Sequence, residues 1–230
     1  MKTIGLIGGF SWVSTIDYYR EINTGINERL GDNNSSSCII HSINYQTIID
    51  NATKGDFETI YKIMLETSLK LKAAGAEAIL LCANTMHMFI DRLEPAVGLP
   101  YIHIAKATAN EINKKGLKKV VLLGTKPTME RDFYKNILQN NGIETVIPDA
   151  DDRNFIHETI FTELGKNIIT PQTKQGYLAI INKLINKGAE GVILGCTEIP
   201  LLIKQEDCSV PVFDTTVIHA RAAVEFALRN

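Results

Sequence analysis

The residues of this chain best suited to chemistry are two cysteines, each of which follows a short aliphatic run. Cys82 comes after residues 78–81 (AILL), and Cys196 comes after residues 192–195 (VILG). Aliphatic runs of this length predict strands buried on both faces of a parallel sheet. Open α/β sheets bind ligands just beyond the carboxyl ends of such strands, so a site is expected at both thiols. A lone cysteine in that position could equally be a small core residue.

The two cysteine segments belong to an internal repeat. Residues 71–85 read LKAAGAEAILLCANT and residues 184–198 read LINKGAEGVILGCTE, with the two cysteines 114 positions apart. Two further pairs of segments recur in the same order at a similar spacing, residues 3–9 with 119–125 and residues 99–103 with 210–214. A repeat of roughly 110 residues predicts two similar lobes.

Strands and helices alternate along the whole chain, which predicts an α/β fold with parallel sheets and right-handed crossovers. We expect two similar three-layer α/β lobes related by the duplication, with the active site in the cleft between them. The first lobe is predicted to comprise residues 1–104 plus 214–230 and to carry Cys82. The second is predicted to comprise residues 105–213 and to carry Cys196.

The first helix is predicted over residues 16–30, with Ser14 as its N-cap. Apolar residues recur in it at helical spacing and predict a core-facing side made of Ile16, Tyr19, Ile22 and Ile26. Residues 44–55 show no pattern that assigns them to a helix or a strand.

Composition points to a globular protein without a nucleic-acid or membrane partner. The chain has 230 residues, 45% of them hydrophobic and 22% charged, and its net charge is −2. It has no apolar run of 18 residues and no signal peptide, so we expect a cytoplasmic protein with reduced thiols. Cys38 and Cys208 form no C-x-x-C pair and no zinc spacing, so they are interpreted as packing residues and no metal is expected.

The loop after the first strand contains Gly8 and Gly9 but has neither the full dinucleotide fingerprint nor the lysine of a phosphate loop. No nucleotide cofactor is predicted from it.

Two thiols permit a chemistry that one does not. A thiol between a strand end and a helix start is predicted to have a lowered pKa, because backbone N–H groups stabilise the thiolate. If the lobes face each other, one thiol can remove a proton from a carbon while the other returns a proton from the opposite face. Inverting a stereocentre next to a carboxylate needs this arrangement. Asn84, Thr85 and Thr197 lie beside the cysteines and could donate hydrogen bonds to that carboxylate.

Four segments together resemble the aspartate/glutamate racemase family over essentially the whole chain: GLIGGFSWVST, CANTMH, GCTEIPLL and PVFDTTVIHA. The resemblance implies a cofactor-independent amino-acid racemase, a homodimer, with Cys82 and Cys196 as its catalytic pair. It also implies a substrate-carboxylate site formed by Asn84, Thr85, Thr125 and Thr197, and a pocket shaped by Phe10 and Ser11.

Other positions bear on the substrate. Glu198 resembles the aspartate and broad-specificity branch, since glutamate racemases of cell-wall synthesis usually carry His there. Aspartate-specific members hold the second carboxylate with cations, but residues 44–57 contain no Arg and one late lysine, Lys54. Lys166 lies one position from where a second cation is expected. We therefore predict a substrate set broader than aspartate, with Gln46 as a polar contact.

Some interpretations stay open. Glu198 could orient a ligand or simply favour a helix start. His87 could hydrogen-bond into the site or lie on a helix surface, while Asp214 and His219 are expected to fix the C-terminal helix.

A cis–trans isomerase or a decarboxylase of a small carboxylic acid is the alternative activity, and an inactive two-lobed ligand-binding protein is the non-enzyme alternative. Decarboxylating relatives keep one of the two cysteines, so the presence of both argues against that activity.

Overall fold

The structure is a computed structural model that describes residues 1–229, and the chain divides into two compact units. One unit comprises Met1–His103 and the segment from His219 onward, and the other comprises Ile104–Ile218. The sequence predicted that the chain returns to the first lobe at residue 214, whereas in the structure it returns at His219. The start of the last helix therefore belongs to the second unit. Asn230, predicted to belong to the first lobe, lies outside the described residues.

The first unit contains four parallel strands in the order β2-β1-β3-β4. Its elements are β1 (Ile4–Gly8), α1 (Trp12–Leu30), β2 (Cys38–Ser42), α2 (Tyr45–Thr53), α3 (Phe57–Ala73), β3 (Ala78–Leu81), α4 (Ile90–Val97) and β4 (Tyr101–Ile102). A 3-10 turn at Thr85–Phe89 connects β3 to α4. The segment around residues 44–55, which showed no pattern in the sequence, is the helix α2, and Asn44 caps it by accepting from the backbone of Gln46.

The second unit repeats this arrangement with four parallel strands in the order β6-β5-β7-β8. Its elements are α5 (Ile104–Lys114), β5 (Lys119–Gly124), α6 (Lys126–Glu130), α7 (Asp132–Asn140), β6 (Glu144–Val146), α8 (Ala150–Thr162), α9 (Pro171–Ile185), β7 (Gly191–Gly195), α10 (Ile199–Leu202) and β8 (Val212–Asp214). The helix α11 (Thr215–Leu228) follows β8. The predicted α/β fold with two similar parallel sheets is confirmed.

Each sheet is covered on both faces. In the first unit, Ile7 and Leu81 pack against α3 and α4, whereas Leu6 and Leu80 pack against α1 and the later part of α11. The second unit has the same layering: alternate residues of β5 face α8 and α9 on one side and α5 and α7 on the other. Strands buried on both faces explain why the sequence shows continuous aliphatic runs instead of alternation.

The core-facing side of α1 differs from the prediction. Tyr18, Ile22 and Ile26 are buried, whereas Ile16 and Tyr19 are each 48% exposed. Tyr18 can enter the core because its hydroxyl is 2.9 Å from Nδ1 of His219, so no polar atom is left unpaired. The helix also begins earlier than predicted, and its N-cap is Ser11 and not Ser14.

Among residues 1–229, no helix combines the length and the hydropathy needed to cross a bilayer.

Candidate active site

The first candidate site is the carboxyl end of β3. Cys82 directly follows the strand, its side chain is 1% exposed, and its backbone N–H donates to the carbonyl of Ile7 at 2.9 Å. That hydrogen bond fixes the cysteine beside the end of β1. The 3-10 turn begins three residues later, so Asn84 and Thr85 lie at its start, with Asn84 4% exposed. The predicted thiol and two of its predicted neighbours therefore lie at one strand end.

The loop after β1 approaches the end of β2 closely. Gly9 has φ +92°, and a Cβ there would lie 2.1 Å from the carbonyl oxygen of Ile43, so only glycine fits. Phe10 is 5% exposed, and its ring meets the ring of Tyr45 edge to face at 6.3 Å. Ser11 caps α1 with its side chain. Tyr45, at the start of α2, is a neighbour of Phe10 that sequence reasoning missed, because nothing assigned its segment to a helix.

Burial raises the pKa of the Cys82 thiol. The prediction of a lowered pKa was wrong for this cysteine, because the strand end lies inside the core and the cost of burying a thiolate exceeds the stabilisation expected from the following turn.

The second candidate site is the carboxyl end of β7. The Cys196 thiol donates to Oε2 of Glu198 at 2.8 Å, and the Thr197 hydroxyl donates to the same oxygen at 2.9 Å. All three side chains are partly exposed. The carboxylate of Glu198 is therefore in direct hydrogen-bonding contact with the thiol, which is a more specific role than favouring a helix start.

Thr125 lies beside Cys196 at the end of the neighbouring strand. Gly124 of β5 pairs in register with Gly195 of β7, so the residues that follow them leave the sheet side by side. Thr125 is the N-cap residue of α6, and its hydroxyl is 3.2 Å from the hydroxyl of Thr128. The structure thus brings Thr125 to the same strand ends as Cys196 and Thr197.

The pKa of the Cys196 thiol is raised well above its ordinary value, mainly by burial and then by the negative charge and hydrogen bond of Glu198. The backbone N–H groups of Thr197 and Glu198 act in the predicted direction and lower it. Their effect is smaller than that of burial, so the predicted net lowering was wrong here as well.

Three buried histidines lie close together in the first unit. The ring of His87 is 4.9 Å from that of His103 and 5.2 Å from that of His219. His87 is 2% exposed, so the interpretation that it lies on a helix surface was wrong. Its Nδ1 is 2.8 Å from the carbonyl oxygen of Ala83. Burial lowers its pKa to about 4.

The expected structural roles of His219 and Asp214 agree with their contacts. His219 lies 2.6 Å from the carbonyl of Ile102 through Nε2, so Nε2 carries the hydrogen and Nδ1 accepts from the hydroxyl of Tyr18. Asp214 accepts hydrogen bonds from the backbone of Thr216 and Val217 at the start of α11.

Three other residues considered from the sequence are exposed. Gln46 is exposed on α2 and its amide donates to Asp50 at 2.7 Å. Lys54 is the exposed C-cap of α2, and Lys166 is exposed in the 3-10 turn Leu164–Lys166. Cys38 and Cys208 are partly buried at the edges of the cores, as expected for packing residues. Within residues 1–229, no three His, Cys, Asp or Glu side chains are grouped as metal ligands.

The chain as a whole is similar to known proteins. The family model described as Asp/Glu/Hydantoin racemase matches residues 7–223, a range that includes both cysteine segments. The chain belongs to this family. At the level of the family, the protein is therefore an amino-acid racemase.

Relatives of this racemase agree with that assignment. The structure of a candidate Asp/Glu racemase from Yersinia pestis is 46% identical and has a TM-score of 0.94, with 100% of both chains covered. An aspartate racemase homologue from Pyrococcus horikoshii OT3 is 39% identical with a TM-score of 0.85, again with 100% of both chains covered. The broad specificity amino-acid racemase RacX of Bacillus subtilis is 27% identical over 172 residues, which are 74% of this chain and 73% of RacX.

Proposed function

We propose that the protein inverts the α-carbon of amino acids without a cofactor, using the thiols of Cys82 and Cys196 as its two bases. One observation carries the proposal: each unit places a thiol directly after the third strand in its sheet order, β3 in one and β7 in the other. A mechanism that uses one thiol would not need a cysteine at the equivalent strand end of the other unit. Two thiols acting on opposite faces of one carbon do require it.

The proton inventory of this mechanism balances. In one direction the thiol proton of Cys196 moves to Oε2 of Glu198, and the resulting thiolate removes the α-proton of the substrate. Cys82, in its thiol form, then gives its proton to the opposite face of the carbanion. In the other direction the enzyme starts in the state that this step leaves, with Cys82 as the thiolate and Cys196 as the thiol that donates. The starting state is restored when Cys82 takes up a proton from solvent and Glu198 releases one to solvent. General acid–base help of this kind is typically worth about 10²–10⁴-fold.

The developing negative charge on the substrate carboxylate also has to be stabilised. We propose that the side-chain and backbone donors of Asn84, Thr85, Thr125 and Thr197 supply this stabilisation. Their support is positional, because Asn84 and Thr85 follow Cys82, while Thr125 and Thr197 flank Cys196. Phe10 and Ser11, at the end of β1, are proposed to shape the pocket.

The substrate set is proposed to be broader than aspartate. The segment of α2 offers no Arg, Lys54 is exposed at its end, and the amide of Gln46 is held by Asp50. A side-chain carboxylate would therefore find no dedicated cation from α2. The name of RacX, a broad specificity amino-acid racemase, agrees with this interpretation.

The proposal is tested with a panel of pure D and L amino acids in D₂O, scored for α-proton exchange by proton NMR and for inversion by chiral chromatography. We expect inversion accompanied by deuterium incorporation for several substrates, acidic and neutral. Activity should survive dialysis against a chelator and treatment with hydroxylamine. The proposal is wrong if no amino acid exchanges its α-proton, or if pyridoxal phosphate or a metal is needed to restore activity. Isomerisation of a cis-dicarboxylate in the absence of exchange would favour the alternative activity.

A further inference from the structure

The turn that carries Thr125 is held by a histidine that belongs to a different helix. The backbone N–H of Lys126, the residue after Thr125, donates to Nδ1 of His157 on α8 at 3.2 Å. His157 is 31 positions further along the chain, and its side chain is partly buried. The contact ties the end of β5 to α8, one residue away from a side chain that is proposed to bind the substrate carboxylate.

The direction of this hydrogen bond determines the state of the imidazole. A backbone N–H can only donate, so Nδ1 of His157 accepts with its lone pair. The ring is therefore neutral and carries its hydrogen on Nε2. An imidazolium has hydrogens on both nitrogens and cannot accept, so protonation of His157 would break the bond to Lys126.

The charges around His157 favour the neutral ring. Burial and then the ammonium group of Lys126 lower its pKa from 6.5, and this outweighs the opposite effect of the carboxylates of Glu130 and Glu158. Glu130, on α6, is itself paired with Arg153 at 2.9 Å. At neutral pH the ring is therefore an acceptor, and acid converts it into a group that repels the N–H it holds.

The first unit holds the loop after its own first strand in a different way. There the backbone N–H of Gly9 donates to the hydroxyl of Thr15 at 3.0 Å. A threonine hydroxyl keeps its lone pairs throughout the ordinary pH range, whereas an imidazole does not. Of these two loop contacts, the one from Lys126 to His157 is therefore the one that a change in pH can break.

We propose that His157 is a positioning residue for substrate binding, which holds the turn carrying Thr125 by accepting from the backbone N–H of Lys126. The inference rests on the proposed function, because it assumes that Thr125 binds the substrate carboxylate. His157 acts through the turn and is not placed in contact with the substrate. A displacement of about 1 Å in a binding group can cost roughly 10²-fold in rate, so losing the acceptor should have a measurable effect.

Two substitutions separate the acceptor from the rest of the side chain. His157→Leu removes the acceptor, whereas His157→Asn keeps an oxygen bonded to Cγ, where the imidazole has Nδ1. We expect kcat/KM for aspartate and alanine to fall roughly tenfold or more in His157→Leu. It should stay close to the wild-type value in His157→Asn. Phe161→Leu is the packing control, because the ring of Phe161 lies 5.0 Å from the imidazole, and it should leave kcat/KM unchanged.

The pH profile is the readout that a merely structural role would not change. In the wild type, kcat/KM should decrease through an ionisation below pH 6.5, because protonated His157 releases Lys126. His157→Asn should lack this ionisation, since an amide does not titrate. If the imidazolium instead attracted the substrate directly, KM would fall in acid in the wild type and not in His157→Asn. That result would overturn the proposal.

Nitrogen NMR and calorimetry separate a failure of this inference from a failure of the proposed function. At neutral pH the ring nitrogens of His157 should show a hydrogen on Nε2 alone, and the amide signal of Lys126 should shift more in His157→Leu than in His157→Asn. Calorimetry should show weaker binding of aspartate and alanine in His157→Leu only. If the wild type neither binds nor turns over an amino acid, both proposals are wrong. If it is active and the two variants behave alike, only the role of His157 is wrong.

Discussion

The two cysteine strand ends are built on the same plan but differ by one residue. In the first unit Leu81 pairs with Ile7, and Cys82 comes next. In the second unit the additional residue Gly195 pairs with Gly124 before Cys196 is reached. Because side chains alternate between the two faces of a strand, one added residue redirects the side chain that follows.

The consequence is visible in the packing. Cys82 belongs to the core on the α1 and α11 face of its sheet, away from α3. Cys196 packs against the core formed by α8 and α9, and α9 precedes its strand as α3 precedes β3. The two thiols therefore leave their sheets toward non-equivalent faces.

Their chemical neighbours also differ. The thiol of Cys196 donates to the carboxylate of Glu198, whereas the position two residues after Cys82 is the amide residue Asn84. No carboxylate is among the groups that shift the pKa of Cys82. Both units carry the thiol, but the carboxylate beside it is present at Cys196 and is replaced by an amide at Cys82, so proton transfer at the two thiols is expected to differ.

The largest expected effect comes from removing either thiol. Cys82→Ser and Cys196→Ser should each reduce racemisation by at least about 10²–10⁴-fold, because a hydroxyl cannot serve as the base. Each variant should still exchange the α-proton of one enantiomer, and the two should prefer opposite enantiomers. Proton NMR in D₂O with pure D and pure L substrate measures this. The same preference in both variants, or full racemisation in either, would show that the thiols are not an opposed pair.

Glu198→Gln tests whether the carboxylate accepts the thiol proton. Removing its charge should lower the pKa of Cys196, since Glu198 raises it. If Glu198 acted only through its charge, more thiolate would form and activity would hold or rise. We expect kcat to fall roughly 100-fold instead, because the proton acceptor is lost. Ultraviolet titration of the thiolate and racemisation kinetics separate the two outcomes, with Glu206→Gln as the control.

Gly195→Ala tests the added residue itself. A Cβ at this position would lie 2.6 Å from the carbonyl oxygen of Leu123, so the backbone of β7 must shift. We expect a loss of unfolding free energy of about 1–3 kcal/mol and a decrease in kcat/KM of roughly tenfold, because Cys196 moves with the strand. Gly25→Ala, where the obstacle is the side chain of Val224, should leave kcat/KM unchanged. Unaltered kinetics for Gly195→Ala would show that this glycine does not position the Cys196 thiol.

The smallest effect concerns pH and the buried His87. The pKa of His87 is lowered to about 4 from 6.5, so between these values the unfolded chain binds more protons than the folded one. The contribution of neutral His87 to the free energy of unfolding is fully present above about pH 6.5 and is lost as the pH falls toward 4. The expected slope is at most about 1.4 kcal/mol per pH unit. Urea unfolding of His87→Gln from pH 7 to pH 4 should show a shallower slope than His41→Gln, whose histidine is partly exposed. Equal slopes would contradict this assignment.

Much of the fold and the position of both thiols could be predicted from the repeat. The Gly-Ala-Glu turn and the aliphatic run recur before each cysteine, and buried parallel strands leave that signature. The core-facing side of α1 was not predictable in the same way. Ile16 and Tyr19 fit the helical period as well as the buried residues do, and the partner that satisfies Tyr18 is His219, 201 residues away.

The direction of the pKa shift of the two thiols could not be predicted from the sequence either. A strand end followed by a turn favours a thiolate, but the depth of burial decides the direction of the pKa shift, and that depth depends on distant elements. The hydrogen bond between Cys196 and Glu198 has a sequence signal, the i to i+2 spacing of thiol and carboxylate. That spacing alone did not distinguish it from a helix start.

The discontinuity of the first unit has a consequence for synthesis. Its core needs Ala220, Ala223 and Val224, and the backbone N–H of Lys2 bonds to the carbonyl of Ala227 at 2.8 Å. The ribosome finishes all the strands of the second unit before these residues are made, and domains fold as units while the chain emerges. The unit that is begun first is therefore completed last. A chain that stops before Ala220 would contain both thiols and would still expose the incomplete core of the first unit.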